Sequence, residues 1–115
     1  LTENNNGIRL NVAFDYGGRA EILKVVKDIV REGVSADDID YDIISKYLYT
    51  SDIPDPDLIV RTAGELRLSN FLIWQSAYSE YYFTEALWPD FGAEDLREAL
   101  ESYRGRSRKF GKLKP

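Results

Sequence analysis

The chain has 115 residues, with 43% hydrophobic and 30% charged side chains and a net charge of -5, which is the composition of one globular domain. It contains no cysteine and no histidine. These absences exclude disulfides, thiolate or imidazole metal ligands and a cysteine nucleophile from this chain, so any acid–base or metal chemistry in it depends on carboxylates, tyrosines or lysines.

The apolar runs are too short to span a bilayer, and no secretory signal pattern opens the chain. We therefore expect a soluble, cytoplasmic domain. The chain also lacks methionine and begins in a polar run, TENNNG after Leu1. We expect the 115 residues to be part of a longer protein.

The first half of the chain predicts one strand and two helices. Residues 8–14 are apolar and β-prone, and they end at the turn signal DYGG. Residues 20–32 follow a helical period, with apolar side chains at Ile22, Val25, Val26, Ile29 and Val30. A second helix is predicted for about residues 40–49, and the SDIPDP run that follows predicts a loop.

The second half of the chain alternates strands and helices. Residues 58–61 and 81–84 are predicted strands, residues 71–78 form an apolar helix that Ser69 or Asn70 could cap, and residues 93–108 form the last helix. Strands that alternate with helices predict an α/β fold with a parallel sheet, here of three strands. Because little chain remains to cover both faces of such a sheet, we expect the rest of the fold to lie in sequence outside these residues.

Two arginines and a serine lie between a predicted strand and a predicted helix. Arg61 ends the strand, at the sheet edge where open α/β sheets bind ligands, and Arg67 and Ser69 precede the helix. A helix N-terminus attracts anions, so the three side chains together predict a site for a diphosphate. The alternative for Arg61 alone is an ion pair with a carboxylate such as Glu65, and the alternative for Ser69 is simple capping.

Glu80 is a carboxylate between two apolar segments, where burial of a charge is costly unless it has a partner. Without histidine in the chain, an oxygen-preferring ion such as Mg²⁺ is the predicted partner, and an ion pair with an arginine is the alternative. Gly17 and Gly18 fit neither the Walker nor the dinucleotide-binding fingerprint. For them we expect a tight turn, with Arg19 and Glu21 making structural hydrogen bonds.

Residues 103–115 form a basic tail. Six basic side chains and no acidic ones follow Tyr103, whereas the preceding residues carry nine basic and 20 acidic side chains, a net charge of -11. Such a tail is either an anion-binding element or a solvated end. Nucleic acid is not expected as a partner, because the acidic body would repel phosphates.

The central segment RTAGELRLSNFLIWQSAYSEYYFTEALWPDF resembles two signature regions of the cis-prenyltransferases, the family of undecaprenyl diphosphate synthase. NVAFDYGGRAEI resembles the preceding region, and RSRKFG resembles the closing basic motif. The resemblance runs from Asn11 to Gly111. Two substitutions stand out: Ala63 replaces a glycine, which costs strain if that position needs a positive φ, and Leu66 replaces a histidine found in some members.

The resemblance implies the three-layer, parallel-sheet α/β sandwich of this family, with residues 1–115 as the carboxyl-terminal half of a single domain. It also implies a Mg²⁺-dependent homodimer, located in the cytoplasm or peripherally at the membrane. This enzyme would condense isopentenyl diphosphate with an allylic prenyl diphosphate to a cis-polyprenyl diphosphate, and the product would associate with the membrane. Arg61, Arg67 and Ser69 would bind isopentenyl diphosphate, and Glu80 would help to place Mg²⁺. Glu65, Arg19, Arg108 and Gly111 are secondary candidates.

The family's aspartate-bearing region, M-D-G-N-x-R-W, is absent from the sequence, so no residue here is assigned to catalysis and the isolated chain is expected to be inactive. Two other hypotheses remain. One is a non-catalytic partner subunit of a cis-prenyltransferase, and the other is a diphosphate-binding α/β module unrelated to prenyl transfer.

Overall fold

The computed structural model describes residues 4–106. Helix α1 spans Gly18–Arg31, and a 3₁₀ turn at Ala36–Asp38 leads to the short helix α2 at Tyr41–Tyr47. Strands β1 (Leu58–Arg61) and β2 (Glu80–Phe83) follow, then a 3₁₀ turn at Trp88–Asp90 and helix α3 at Ala93–Arg104. The predicted helices near residues 20–32, 40–49 and 93–108 are thus confirmed, with ends that differ by a few residues.

The two strands form a parallel sheet. Leu58 lies opposite Glu80 and Arg61 lies opposite Phe83, so both strands end at the same edge. Backbone bonds continue on either side, from the Glu80 N–H to the Asp57 carbonyl (2.9 Å) and from the Thr84 N–H to the Arg61 carbonyl (2.9 Å). The prediction of an α/β fold with a parallel sheet is confirmed, but in the described part of the chain the sheet has two strands and not three.

The prediction of a strand at residues 8–14 is wrong for this structure. The segment is irregular, and its apolar side chains are almost fully exposed, from 79% at Val12 to 100% at Ile8. A strand needs a neighbour that accepts and donates its backbone hydrogen bonds. Neither β1 nor β2 pairs with this segment, so β propensity alone does not make it a strand.

The prediction of a helix at residues 71–78 is also wrong. These residues form a series of turns; φ is positive at Ser69 (51°) and Asn70 (66°) just before them and at Leu72 (44°) within them. An α-helix requires negative φ at every residue. The buried residues of this segment are the polar Gln75 and Ser76, which its apolar composition did not predict.

The core lies between α1, α2 and the turns around Trp74. Val25, Ile29 and Leu48 are buried, and Trp74 and Ile44 pack against them. The helical period of α1 is only partly reflected in burial, because Val26 and Val30 of the predicted apolar face are 53% and 73% exposed. None of the helices between residues 4 and 106 is long and apolar enough to cross a membrane.

Candidate functional site

Arg61 and Ser69 meet at the carboxyl end of β1. Arg61 is the last residue of the strand, and its Nη2 lies 3.4 Å from the Ser69 Oγ, a long and weak hydrogen bond. Both side chains reach solvent, Ser69 more than Arg61. The structure therefore places a cation and a hydroxyl side by side at the edge of a parallel sheet, the location at which such sheets bind ligands.

A tight turn after Arg61 holds this edge together. The Ala63 N–H donates to the Ala86 carbonyl (2.8 Å), and the Gly64 N–H donates to the Thr84 carbonyl (2.9 Å). Both residues of the turn are left-handed, with φ of 65° at Ala63 and 66° at Gly64. The alanine thus occupies the kind of position that favours glycine, and the strain expected from the sequence is present.

Arg67 is more exposed than Arg61 and has a carboxylate partner. Its Nη1 forms an ion pair with the Glu65 Oε2, and the Arg67 side chain is 66% exposed. Glu65 therefore pairs with Arg67 and not with Arg61, so the alternative in which Arg61 is bound by Glu65 does not hold. An exposed ion pair of this kind contributes little to stability, and an anionic ligand can exchange with its carboxylate at low cost.

The segment that carries Ser69 is bound to the start of α1. The Asn70 carbonyl accepts a hydrogen bond from the Gly18 N–H (2.7 Å), and the Asn70 Oδ1 accepts one from the Arg19 N–H (2.9 Å). The helix N-terminus at this site is therefore that of α1, not of the helix predicted at residues 71–78. Its first two N–H groups are satisfied by Asn70, for which the sequence predicted only a local capping role.

The pair Gly17–Gly18 serves this contact between segments. A Cβ on Gly18 would lie 2.8 Å from the Ile73 Cγ1 and 3.2 Å from the Asn70 carbonyl oxygen. A Cβ on Gly17 would lie 2.8 Å from the Asn70 Nδ2. The glycines allow the backbone of another segment to approach, so the expectation of a tight structural role is confirmed for both.

A buried carboxylate network lies behind the site. Glu21 is 1% exposed, and its carboxylate accepts hydrogen bonds from the Tyr16 hydroxyl (2.5 Å), the Tyr49 N–H (2.7 Å) and the Gln75 Nε2 (3.1 Å). Burial, followed by the contact with Glu21, raises the pKa of Tyr16 above its ordinary value. The expected structural role of Glu21 is confirmed, and Tyr16, Tyr49 and Gln75 are partners that sequence spacing could not reveal.

Glu80 lies at the amino-terminal end of the two parallel strands, whereas Arg61 lies at their carboxyl end. Glu80 begins β2 opposite Leu58, so about three strand residues, or roughly 10 Å, separate it from the Arg61 end. Its Oε2 accepts a hydrogen bond from the Arg106 Nη1 (2.9 Å), and the same guanidinium nitrogen donates to the Tyr81 carbonyl (2.8 Å). The basic tail thus begins with an internal ion pair.

The described residues do not form a Mg²⁺ site by themselves. Between residues 4 and 106 there is no group of three or more acidic side chains that could hold a metal ion. Glu80 is a single carboxylate, and it already has a guanidinium partner. The assignment of Glu80 to Mg²⁺ therefore remains a prediction, and Mg²⁺ would need ligands from beyond these residues, such as substrate phosphates.

The secondary candidates are distributed unevenly. Arg19 lies beside Asn70 through its backbone N–H, and its side chain is exposed. Glu65 lies next to the site through its ion pair with Arg67. Arg108 and Gly111 lie outside the described residues.

Comparisons with known proteins show the family to which the chain belongs. The family model for putative undecaprenyl diphosphate synthase matches residues 1–111. The isoprenyl transferase of Heliobacterium mobile is 56% identical over 98% of this chain, and that of Fusobacterium nucleatum is 53% identical over 98%. The chain therefore belongs to the undecaprenyl diphosphate synthase family, the cis-prenyltransferases, which excludes the hypothesis of an unrelated diphosphate-binding module.

Two solved structures share the fold. One is a lavandulyl diphosphate synthase from Lavandula x intermedia in complex with dimethylallyl diphosphate, with a TM-score of 0.79 and 46% identity over 84% of this chain. The other is a probable undecaprenyl diphosphate synthase from Campylobacter jejuni, with a TM-score of 0.72 and 33% identity over 86%. The chain spans less than half the length of all four proteins. It covers 44% of the lavandulyl diphosphate synthase and 45% of the Campylobacter protein, and 45% and 48% of the Heliobacterium and Fusobacterium enzymes.

Proposed function

We propose that this chain provides the isopentenyl diphosphate site of a cis-prenyltransferase. The enzyme would condense isopentenyl diphosphate with an allylic prenyl diphosphate and release a cis-polyprenyl diphosphate of the undecaprenyl type. The observation that carries the proposal is the contact between the Arg61 guanidinium and the Ser69 hydroxyl at the carboxyl edge of the sheet. The neighbour solved with dimethylallyl diphosphate, a prenyl diphosphate, supports the substrate class.

The three proposed binding residues would have different parts in holding the diphosphate. The Arg61 guanidinium and the Ser69 hydroxyl can both donate to one phosphoryl group, since they already lie within 3.4 Å of each other. Arg67 would exchange its Glu65 partner for the second phosphoryl group. Charge-assisted hydrogen bonds hold the diphosphate in one position as well as balancing its charge. The site would therefore orient the nucleophilic double bond of the isoprenoid.

The remaining parts of the proposal concern the whole enzyme. Mg²⁺, when bound, would neutralise charge on a diphosphate, and Glu80 is the residue proposed to help place it. We propose a homodimer in the cytoplasm or peripherally at the membrane, with a membrane-associated product and without a nucleic-acid partner. Because no residue here is assigned to ionisation of the allylic substrate, the 115-residue chain alone is expected to be inactive.

The test measures binding of isopentenyl diphosphate to the 115-residue chain by titration calorimetry. Arg61→Ala, Arg67→Ala and Ser69→Ala should each weaken binding by about 1.5–3 kcal/mol, because each removes a charge-assisted contact. That loss corresponds to about 10-fold to 150-fold in Kd. Arg97→Ala is the matched control, since Arg97 is an arginine with a carboxylate partner, Glu94, on α3.

The outcome that contradicts the proposal is equal binding by the wild-type chain and by the Arg61, Arg67 and Ser69 variants. A second assay supplies labelled isopentenyl diphosphate and an allylic primer. Polyprenyl diphosphate formed by the chain unaided would refute the expectation of inactivity. Another outcome is that the chain restores activity to a catalytic subunit that lacks its own basic tail. That result would assign the chain the role of a non-catalytic partner subunit instead of the proposed one.

A further inference from the structure

The segment around Ser69 has a backbone form that needs support from elsewhere in the fold. Three of four consecutive residues, Ser69, Asn70 and Leu72, have positive φ between 44° and 66°, and none of them is glycine. Each such residue costs on the order of 1–3 kcal/mol relative to an ordinary conformation. This form persists only where contacts with other elements compensate for the cost.

Asn70 makes those contacts with the start of helix α1. It accepts the Gly18 N–H at its carbonyl oxygen and the Arg19 N–H at its side-chain oxygen, at 2.7 Å and 2.9 Å. The N-cap residue of α1 is Gly17, which has no side chain with which to cap the helix. Asn70 is therefore the cap of α1, supplied from a segment 51 residues further along the chain.

This cap also determines where Ser69 lies. Ser69 precedes Asn70 directly, and its hydroxyl is 3.4 Å from the Arg61 guanidinium. Asparagine tolerates the left-handed conformation better than most residues and is a strong helix cap, so a single residue type satisfies both requirements here. If Asn70 were released from α1, the peptide between Ser69 and Asn70 could return to a common conformation, and the Ser69 hydroxyl would move away from Arg61.

We infer that Asn70 is a positioning residue for diphosphate binding: by capping α1 it holds the Ser69 hydroxyl next to the Arg61 guanidinium. The inference rests on the proposed function, because it assigns to Asn70 a role in the same site. Asn70 acts through Ser69 and does not itself contact the substrate. Its effect on affinity should therefore depend on the presence of the Ser69 hydroxyl.

The experiment is a double-mutant cycle on the 115-residue chain, with isopentenyl diphosphate as the ligand in titration calorimetry. Asn70→Ala should weaken binding about tenfold in the wild-type background but less than twofold when Ser69→Ala is already present. Asn70→Gly is the second variant, because glycine adopts the observed φ without cost but lacks the side-chain oxygen. Asn70→Gly should fold at least as readily as Asn70→Ala, and its effect on affinity should depend on Ser69 in the same way.

Amide hydrogen exchange checks the physical basis of the effect. The Arg19 N–H should lose protection in both Asn70 variants, because its acceptor is gone, while amides in the second half of α1 should keep theirs. Leu48→Ala is the control for destabilisation without repositioning: it opens the core between α1 and α2 and should leave the Kd within about twofold.

The possible outcomes separate the inference from the proposed function. No binding by the wild-type chain would overturn the proposed function, and the role of Asn70 with it. Binding by the wild-type chain that Asn70→Ala and Asn70→Gly weaken equally with and without Ser69 would overturn the inference alone. Unchanged affinity in both Asn70 variants would do the same.

Discussion

Replacement of Glu21 tests whether the buried carboxylate network organises the fold. Glu21 is 1% exposed and accepts from three donors: the Tyr16 hydroxyl, the Tyr49 N–H and the Gln75 side-chain amide. Glu21→Leu keeps the side-chain size but leaves these donors without their acceptor. An unsatisfied buried donor costs about 1–3 kcal/mol; since two of these bonds are only partly buried and Gln75 keeps its bond to Thr50, we expect a loss of about 3 kcal/mol in the free energy of unfolding.

Glu21→Gln should cost less, because the amide oxygen of the new side chain can still accept the Tyr49 N–H. The Gln75 Oε1 is buried and has no hydrogen-bond partner in the described structure, while its Nε2 bonds to Glu21 and to the Thr50 Oγ1. Turning the Gln75 amide over would place its NH2 group where it has no acceptor, so the Gln75 contact with residue 21 is weakened while the Tyr49 contact is kept. We expect Glu21→Gln to lose about 1–2 kcal/mol, since the charge-assisted contacts become neutral ones.

The assay is urea unfolding followed by tryptophan fluorescence, which reports on Trp74 at the edge of the core and on the exposed Trp88. Glu98→Leu is the matched control, because Glu98 is exposed on α3 and its replacement should change stability by less than about 0.5 kcal/mol. The reasoning is refuted if Glu21→Leu unfolds at the same urea concentration as the control, or if Glu21→Gln costs as much as Glu21→Leu.

Three further predictions concern the backbone and pH. Ala63→Gly should stabilise the chain by about 1 kcal/mol in urea unfolding, because residue 63 has a φ of 65°. The control Ala20→Gly in helix α1 should destabilise the chain by a similar amount, and a loss of stability in both variants would contradict the prediction. Gly18→Ala should lower stability by about 1–3 kcal/mol, since its Cβ would lie 2.8 Å from Ile73, while Gly7→Ala, with nothing within 4 Å, should be neutral; equal effects would refute the close approach. The pKa values of Tyr16, Tyr47 and Lys24 are raised in the folded chain, so these groups lose their protons first in the unfolded state, and stability should fall as the pH rises above about 10. For Tyr16, the most buried of the three, the fall should approach about 1.4 kcal/mol per pH unit. Tyr16→Phe should flatten this fall between pH 10 and 11.5, and an unchanged slope would show that Tyr16 is not its source.

Much of the candidate site was accessible from sequence, because its residues are close together in the chain. Arg61 and Ser69 are eight residues apart, and a strand end followed by a short connection keeps them in reach of each other. The parallel pairing of β1 and β2 also follows from local patterns, since apolar strands separated by intervening chain favour it.

The errors arose where local propensity and long-range contact disagree. Residues 8–14 have β-prone composition but no hydrogen-bonding neighbour in the described sheet, and a strand depends on its neighbour. Residues 71–78 have helical composition, but Asn70 is held in a left-handed conformation by its bonds to α1. In the first segment the neighbour that a strand needs is missing from the described sheet, and in the second the deciding partner lies 51 residues away, so no local window contains the information.

By itself the sequence determined the fold class, the family and the chemistry of the candidate site: two arginines and a serine at the end of a parallel strand, without histidine or cysteine. The tertiary structure decided which of these groups meet. It placed Ser69 beside Arg61, paired Glu65 with Arg67 and bound Glu80 to Arg106 at the far edge of the sheet. It also made Asn70 the cap of α1. The physical reason is that hydrogen bonds and ion pairs select partners by distance in space, which residue type and spacing do not specify.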